Sequence, residues 1–530
     1  MKESMKGNVG RIVLVVFMLI FHVDQLSAQQ ALTIEKIAEG IKPEELKKHL
    51  EILASDSYEG RETGTKGQKM AAQYIADYYT SLGIEPCVNG SWFQSYPLRR
   101  VSHLKSYATM GAQRFEMIKD FYFFGSDQNT FEARDIVFVG YGIKEGKHND
   151  YKNVDVKGKT VMCLTGEPLD KKGRSRITGS TSYSDWSMDP GLKIELAATY
   201  GAKNVIVINT NYDAYMERVR YWLEQAPMRL DNPKHPQDEE GLPTVFISVK
   251  MADLLLQNTG TDVKKYSGQK KQKLLKVASD LVFHMEREEN KLNAENVLCF
   301  IEGSDPTLKK EIVVISAHYD HIGIVNGQIN NGADDDGSGT VAALELAQAF
   351  AEAKKSGLGP KRSILILNVS GEEKGLLGSE WYSDFPVFPL ENTVCDLNID
   401  MIGRKDPQHD NANYVYLIGS DKLSTTLHQI SENCNKQYTQ LTLDYTYNDP
   451  ADPNRFYYRS DHYNFAKHNI PVIFYFSGVH EDYHKPGDDV EKILFDKMAV
   501  IARLVFYTAW EVANREERLK VDVQNDFGGE

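Results

Sequence analysis

The sequence predicts a mixed α/β fold, in which a mostly parallel central sheet is flanked by helices and a β-rich domain is inserted. Four short segments in the second half of the chain are almost continuously apolar, as strands covered on both faces are. Helical patterns separate several of them, and strands that alternate with helices indicate a layered α/β domain. The four predicted strands are residues 312–316, 364–369, 394–399 and 471–476.

Three segments of the same domain have the pattern of helices. Residues 67–82 carry large apolar and aromatic side chains along one side at helical spacing. Residues 340–355 are rich in strong helix formers and are followed by glycine and proline, which end helices. A third helical pattern covers residues 494–513.

Between the first of these helices and the first central strand, the pattern changes. Residues 104–282 contain short β-rich segments separated by many charged and loop residues, and the α/β pattern resumes after them. We therefore predict a discontinuous domain at 29–103 and 283–515, a β-rich domain inserted at 104–282, and a C-terminal tail at 516–530.

The first 28 residues have the shape of a secretory signal peptide. Basic residues precede an apolar stretch of about ten residues, and Ser27 and Ala28 are small residues suited to cleavage before Gln29. The apolar stretch is too short to span a bilayer. We therefore expect 1–28 to be removed, the mature protein to be exported to the periplasm or the extracellular space, and no integral membrane segment to remain.

Composition and charge exclude several classes of protein. The chain has 530 residues, of which 41% are hydrophobic and 26% charged, as in a folded protein rather than a disordered one. The net charge is −14 and no long basic run occurs, so no nucleic-acid partner is expected. Five cysteines are too few for a disulfide scaffold. No pattern in the chain predicts an oligomeric state.

Metal-binding residue types follow the predicted central strands. The carboxyl ends of parallel strands meet at one edge of a sheet, where open α/β sheets bind their ligands. Histidine, aspartate and glutamate are the side chains that hold divalent transition metals. The candidates at this edge are His318, Asp320, Glu372, Glu373, Asp400, Tyr483 and His484, together with Asp335 just before the helix at 340–355.

The number of acids at this edge favours bound cations. Closely spaced carboxylates cannot all ionise unless their pKa values rise or a cation joins them. Two divalent ions about 3.5–4 Å apart, bridged by one carboxylate, are a recurrent arrangement in hydrolases. The residues therefore favour a site for two metal ions.

At these residues the sequence resembles a known family. The segments AHYDH, NNGADDDGSG, SGEEKGLLGS, NIDMIGR and DYHKPGDD occur in the order found in the M28 zinc aminopeptidases, and EGRETGTKGQKMAAQYIADYY is similar to their N-terminal helix. Within the insert, VGYG and DVKGKTV resemble the protease-associated (PA) domain that many members carry. The resemblance covers most of 30–100 and 290–510, and implies a zinc-peptidase type of fold, peptide substrates and removal of N-terminal residues.

The resemblance also implies a role for each candidate residue. His318 and Asp400 would bind one zinc ion, Glu373 and His484 the other, and Asp335 would bridge the two. Cobalt or manganese could replace zinc in such ligands. The remaining roles would be Glu372 as the general base, Asp320 as the residue that fixes the tautomer of His318, and Tyr483 as a donor to the oxyanion.

Two other kinds of function stay open at this point. Relatives with the same fold include carboxypeptidases and glutaminyl cyclases. A metal-stabilised peptide-binding protein without turnover is the other alternative, although the intact set of ligand types and the base favours an enzyme.

Several polar residues beside the motifs are expected to have structural roles. Asp334 and Asp336 fit acids at a helix N-terminus, where the helix dipole favours negative charge. His321, Asp461 and His462 are expected to support the site rather than to take part in catalysis.

The segment from His480 to His484 has the letters of the H-E-x-x-H motif, which needs a helix to bring both histidines to one face. Glycine and proline on its two sides argue against that helix. Arg404 and Arg459 could each pair with a site carboxylate or with substrate.

Overall fold

The fold is that of a computed structural model, which describes residues 33–124, 130–224, 226–235, 242–269 and 274–524. The predicted signal peptide and the last residues of the predicted tail lie outside the described residues. Among the residues that are described, no helix combines the length and the apolar character needed to span a bilayer. The chain forms two compact units, and Pro97–Asn293 is the second of them.

The first unit consists of the described residues up to Tyr96 and from Ala294 onward. The helices predicted at 67–82, 340–355 and 494–513 are present in this unit. Its helices are α1 (Ile34–Glu39), α2 (Pro43–Leu53), α3 (Lys66–Ser81), α4 (Gly339–Lys355), α5 (Leu377–Asp384), α6 (Thr425–Cys434), α7 (His462–Ala466) and α8 (Phe495–Asn514).

The central sheet contains the four predicted strands side by side. Its strands are β1 (Phe93–Ser102), β2 (Glu288–Ile301), β3 (Ile312–His318), β4 (Ser363–Val369), β5 (Thr393–Ile399), β6 (Tyr414–Ile418), β7 (Thr442–Asp444) and β8 (Val472–Phe476). They lie in the order β1–β2–β4–β3–β5–β8–β6–β7, and a short ninth strand, Met228–Leu230, pairs antiparallel with β1 at the edge of the sheet. Strands β4, β3, β5 and β8 are parallel, whereas β2 and β6 run antiparallel to their neighbours β4 and β8. The predicted mixed, mostly parallel sheet is confirmed.

Helices cover both faces of this sheet, which explains why its strands are apolar throughout. Leu50, Ile75 and Leu344, from α2, α3 and α4, pack in one core with alternate residues of β3. Tyr382 and Phe465, from α5 and α7, pack in a second core with the other residues of β3. Each fully buried side chain of this size stabilises the fold by about 1.5–3 kcal/mol relative to an exposed one.

The second unit is the inserted β-rich domain, whose presence is confirmed. Its sheet contains, in spatial order, Gln113–Glu116, Tyr107–Met110, Leu275–His284, Phe131–Phe138, Thr160–Leu164, Asn204–Asn209, Thr244–Ser248 and Phe121–Tyr122. Its helices are Asp185–Met188, Gly191–Thr199, Tyr212–Glu224, Val249–Leu256 and Val263–Ser267.

The boundaries 104 and 282 predicted from the sequence lie inside this second unit. The compact unit runs from Pro97 to Asn293, so each boundary falls inside a strand, β1 or β2. A change in composition cannot locate such a boundary, because the strand pattern continues across it.

Part of the predicted tail packs onto the first unit. The guanidinium of Arg518 donates to the main-chain oxygens of Glu391 and Thr393, each at 2.7 Å. Leu519 is 6% exposed and joins the core beneath α8.

Candidate metal centre

The candidate residues are carried by the carboxyl ends of the four parallel strands. His318 is the last residue of β3, Glu372 and Glu373 follow β4, and Asp400 directly follows β5. His484 lies in the loop after β8, and Asp335 lies in the segment before α4. Because these strands are parallel and adjacent, their ends meet at one edge of the sheet.

One group of side chains surrounds the Nε2 atom of His318. This atom lies 3.5 Å from Oδ1 of Asp335, 3.6 Å from Oδ1 of Asp400 and 4.0 Å from Oε2 of Glu372. His318 is 1% exposed. One ligand atom from each of His318, Asp335 and Asp400 lies within 4.8 Å of the other two, so the three residues could hold one metal ion.

A second group adjoins the first on the other side of Asp335. Nε2 of His484 lies 3.1 Å from Oδ2 of Asp335 and 3.1 Å from Oε2 of Glu373. Nδ1 of His321 lies 2.8 Å from Oε1 of Glu373 and 3.8 Å from Oδ2 of Asp335. The two oxygens of Asp335 therefore face different groups, as a bridging carboxylate requires.

Several buried atoms of the site lack a hydrogen-bond partner, as the ligand atoms of a cation would. Nε2 of His318, Oδ2 of Asp335 and Oε1 of Glu373 are buried without a hydrogen-bond partner. Buried polar atoms normally have such a partner, and leaving one unpaired costs about 1–3 kcal/mol. Among the described residues, no lysine or arginine forms an ion pair with the carboxylates of these groups. Divalent cations would satisfy both the unpaired atoms and the charge.

The acids also set the charge of the imidazoles. Burial opposes a proton on His318, but the carboxylates of Glu372 and Asp400 outweigh it and raise the pKa of this histidine well above its ordinary value. Burial also opposes charge on His484, and the Glu373 carboxylate prevails and raises the pKa of His484 to about 10. Cations that bind here would displace these protons, so metal binding would release protons.

Glu372 and Glu373 are adjacent in sequence but differ in their environments. Burial raises the pKa of Glu372 well above its ordinary value, with His318 opposing and the Glu373 charge adding to the rise. Burial opposes ionisation of Glu373 too, but the imidazoles of His484 and His321 lower the pKa of Glu373 well below its ordinary value. Glu372 is therefore the acid that can bind a proton, whereas Glu373 stays a charged carboxylate.

Asp320 contacts the imidazole of His318 through its main chain. Nδ1 of His318 lies 3.1 Å from the main-chain oxygen of Asp320 and 3.7 Å from its carboxylate. The carboxylate is occupied elsewhere, because it accepts hydrogen bonds from the Thr63 hydroxyl at 2.6 Å and from the Glu372 main-chain N–H at 3.3 Å. The carbonyl of Asp320 thus orients the imidazole, and its carboxylate holds the turn that carries Glu372.

Tyr483 stands at the rim of the second group. Its ring stacks on His484 at a centroid distance of 3.9 Å, and its hydroxyl accepts a hydrogen bond from Arg459 at 3.5 Å. Burial, followed by the charges of Asp335 and Glu373, raises the pKa of Tyr483 above its ordinary value. The phenol therefore keeps its proton and can donate it in a hydrogen bond.

The neighbouring acids support the backbone around Asp335. Asp336 accepts hydrogen bonds from the main-chain N–H of Gly339, at the start of α4, and of Met401. Asp334 accepts from Gly403 and approaches Nε2 of His480 at 3.3 Å. These contacts tie the segment before α4 to the loop that follows β5.

Two residues that hold this site could not be found from the sequence pattern. Asp488 accepts hydrogen bonds from the main-chain N–H groups of Asp334 and Asp335, and so fixes the backbone of the bridging residue. Arg61 donates to four main-chain oxygens, among them those of Tyr319 and Gly332. Asp488 lies in a loop and Arg61 precedes α3, so neither follows a central strand.

The remaining polar residues near the site either pair with its acids or are buried beside it. Arg404 donates to Asp482 at 2.9 Å and lies 3.9 Å from Asp488, so it pairs with acids of the His484 loop. Residues 481–484 form turns rather than a helix, so the H-E-x-x-H letters do not form that motif. Asp461 and His462 are fully buried next to α5 and β8, where Asp461 accepts from Ser379 and His462 stacks on Phe474.

Comparison with known proteins assigns the domain that carries these residues. Residues 296–509 match the model of peptidase family M28. These residues belong to peptidase family M28. Residues 132–255, inside the second unit, match the PA domain.

The domain that matches this model has relatives among curated proteins. Over 220 residues the chain is 31% identical to the "Probable leucine aminopeptidase" of Trichophyton verrucosum, an alignment that covers 39% of this chain and 56% of that protein. The chain therefore spans little more than half the length of this curated relative.

Two solved structures share the fold. The aminopeptidase from Aneurinibacillus sp. strain AM-1 superposes with a TM-score of 0.54 at 20% identity, over 93% of this chain and 99% of that one. BSAP, described as a zinc aminopeptidase from Bacillus subtilis, superposes with a TM-score of 0.50 at 18% identity, over 92% of this chain and 98% of that one. At these identities the likeness is one of fold.

Proposed function

We propose that this protein is an exported aminopeptidase that uses two zinc ions. The observation that carries the proposal is the pair of adjoining ligand groups that share Asp335, with Glu372 beside them, in a domain of family M28. Names of related proteins support the peptide substrate and the metal, because they include aminopeptidases and a zinc aminopeptidase.

The two ions would be held as the ligand groups suggest. His318 and Asp400 would bind one ion, His484 and Glu373 the other, and the two oxygens of Asp335 would each face one of them. Mixed imidazole and carboxylate ligands suit zinc, and cobalt or manganese could replace it. When bound, the ions would lower the pKa of a water molecule and polarise the scissile carbonyl group.

Glu372 is the proposed general base. Its side chain is 13% exposed, and its Oε2 atom lies 4.0 Å from Nε2 of His318. There it would take a proton from the attacking water and return it to the leaving amine. General-base catalysis of this kind contributes about 10²–10⁴-fold to the rate.

Tyr483 is the proposed donor to the developing negative charge on the substrate. Its protonated hydroxyl stands beside the second ligand group, where Arg459 donates to it. A donor whose own oxygen accepts from a cation becomes a stronger donor. Tyr483 would donate to the oxygen of the scissile carbonyl as that oxygen gains charge.

The reaction is tested by a panel of substrates with and without a chelator. We expect aminoacyl anilides with a free α-amine to be cleaved, their N-acetylated counterparts to be resistant, and a chelator to abolish cleavage until zinc is restored. Release of C-terminal residues from N-blocked peptides would instead show a carboxypeptidase, and cyclisation of N-terminal glutamine would show a cyclase. Peptide binding without turnover of any substrate, in protein that holds zinc, would leave only a binding protein.

Export is tested on the mature N-terminus. The basic start, the apolar stretch and the small residues before Gln29 support removal of 1–28. We expect protein recovered from the periplasm or the medium to begin at Gln29. Protein that stays in the cytoplasm with Met1 intact would contradict export without affecting the proposed reaction.

A further inference from the structure

Arg459 is an arginine beside the metal centre that pairs with none of the described carboxylates. From the sequence, Arg404 and Arg459 are equal candidates for pairing with an acid of the site or with substrate. In the structure Arg404 pairs with Asp482 at 2.9 Å. The exposed side chain of Arg459 donates to the Tyr483 hydroxyl at 3.5 Å and lies over the ring of Phe456, but it forms no ion pair within the part of the chain that the structure describes. Its charge is therefore available to a ligand.

The backbone of Arg459 is held against the first ligand group. The next residue, Ser460, is buried, and its hydroxyl donates to Oδ2 of Asp400 at 2.7 Å. The main-chain N–H of Arg459 donates to the main-chain oxygen of Phe456 at 3.0 Å. The guanidinium then reaches Tyr483, whose ring stacks on a residue of the second group. Arg459 is thus fixed at its base beside one group, and its charge lies beside the other.

The position of the guanidinium can be related to that of a bound peptide. In the proposed reaction the Tyr483 hydroxyl donates to the oxygen of the scissile carbonyl. Because that hydrogen bond is about 2.8 Å long and Nη2 of Arg459 lies 3.5 Å from the same hydroxyl, Nη2 would lie no more than about 6.3 Å from the scissile oxygen. An arginine side chain has several N–H donors, and Tyr483 uses one of them. The others can bind a group of the substrate next to the scissile bond.

Two carboxylates of a peptide substrate can lie within this distance. In a dipeptide, the C-terminal carboxyl carbon is three bonds from the scissile carbonyl carbon. The side-chain carboxyl carbon of an N-terminal aspartate or glutamate is three or four bonds away. With bonds of about 1.3–1.5 Å, both carbons come within about 3–5 Å of the scissile carbonyl carbon. The C-terminus of a longer neutral peptide does not.

We propose that Arg459 binds a carboxylate of the substrate beside the scissile bond, and that it makes the enzyme selective for peptides with a carboxylate there. The planar guanidinium matches a carboxylate in two parallel, charge-assisted hydrogen bonds. The proposal rests on the proposed peptidase reaction and adds a substrate class to it. The carboxylate belongs either to an acidic N-terminal residue or to the C-terminus of a dipeptide, and paired substrates separate these two sources.

The test compares kcat/KM within two pairs of substrates whose members differ only in one carboxylate. The first pair is glutamyl anilide and glutaminyl anilide, and the second is alanyl-alanine and its C-terminal amide. We expect the full mature chain, loaded with zinc, to favour the carboxylate member of at least one pair by about tenfold or more. A preference in the first pair identifies an acidic N-terminal residue, and a preference in the second identifies a dipeptide.

Arg459→Gln separates the effect on the carboxylate from the effect on Tyr483. A weaker hydrogen bond to Tyr483 lowers kcat/KM for both members of a pair alike, so the ratio within the pair reports only on the carboxylate. We expect the variant to keep its zinc by elemental analysis and to lose the preference. The matched control is Arg455→Gln, because Arg455 is exposed and lies over the ring of Tyr458. This control should keep the wild-type preference.

The wild-type comparison does not depend on the folding of any variant. Equal values of kcat/KM within both pairs, or higher values for the neutral members, would overturn the role of Arg459. A preference that persists in Arg459→Gln would overturn it as well, because another group would then bind the carboxylate. A wild type that holds zinc and cleaves none of the four substrates would instead overturn the proposed function, on which this role depends.

Discussion

Replacing Glu372 with glutamine will leave the fold and both zinc ions in place and lower turnover by at least ~10²-fold. Glutamine has the shape of glutamate, but its amide cannot accept a proton at neutral pH. The carboxylate is also the group whose pKa burial raises, so the wild-type residue is suited to hold a proton between steps. The measurement is kcat on an aminoacyl anilide, together with elemental analysis and circular dichroism of the same preparation.

The control for this variant is Glu51→Gln. Glu51 is an exposed acid of α2 that pairs with Lys47, so its loss should leave kcat unchanged. A Glu372→Gln protein with full activity and bound zinc would show that another group moves the proton.

Replacing Asp335 with asparagine will reduce zinc occupancy at both positions. The two oxygens of Asp335 face His318 and His484, at 3.5 and 3.1 Å, so one carboxylate serves both ligand groups. Asparagine offers one neutral oxygen, and its NH2 group would face the other ion. We expect elemental analysis after dialysis to fall from two zinc ions per chain to less than one.

Asp489→Asn is the matched control for the loss of charge. Asp489 lies next to Asp488 and accepts a long hydrogen bond of 3.5 Å from Asn331, but it does not belong to either ligand group. This variant should keep both ions. Two zinc ions retained by Asp335→Asn itself would exclude the bridging role.

The fold could be predicted from the sequence because of how the central strands are buried. Strands covered on both faces must be apolar at every position, and that is why β3, β4, β5 and β8 were visible in the sequence. The carboxyl ends of those strands then placed His318, Glu373 and Asp400 at one edge without any knowledge of side-chain positions.

The sequence names His321 and Asp320 beside the ligands but does not show which atoms they contact. His321 lies in the loop after β3, and its position in the sequence does not show that its side chain contacts a ligand. Only the distance of 2.8 Å between Nδ1 of His321 and Oε1 of Glu373 shows that contact. The carbonyl of Asp320, rather than its carboxylate, approaches His318, because Thr63 from the segment before α3 occupies the carboxylate. Contacts between parts of the chain so far apart in sequence carry no local signal.

The arrangement of the ligands across several strands ties metal uptake to folding. His318 and His484 come from distant parts of the chain, and both approach Asp335 only when β3, β4, β5 and β8 have assembled in register. An unfolded chain cannot offer the same set of ligands, so the ions bind the native state far more tightly and stabilise it by mass action. The apoprotein should therefore melt at a lower temperature than the zinc-loaded protein. The free zinc concentration then helps to set the fraction of the protein that is folded.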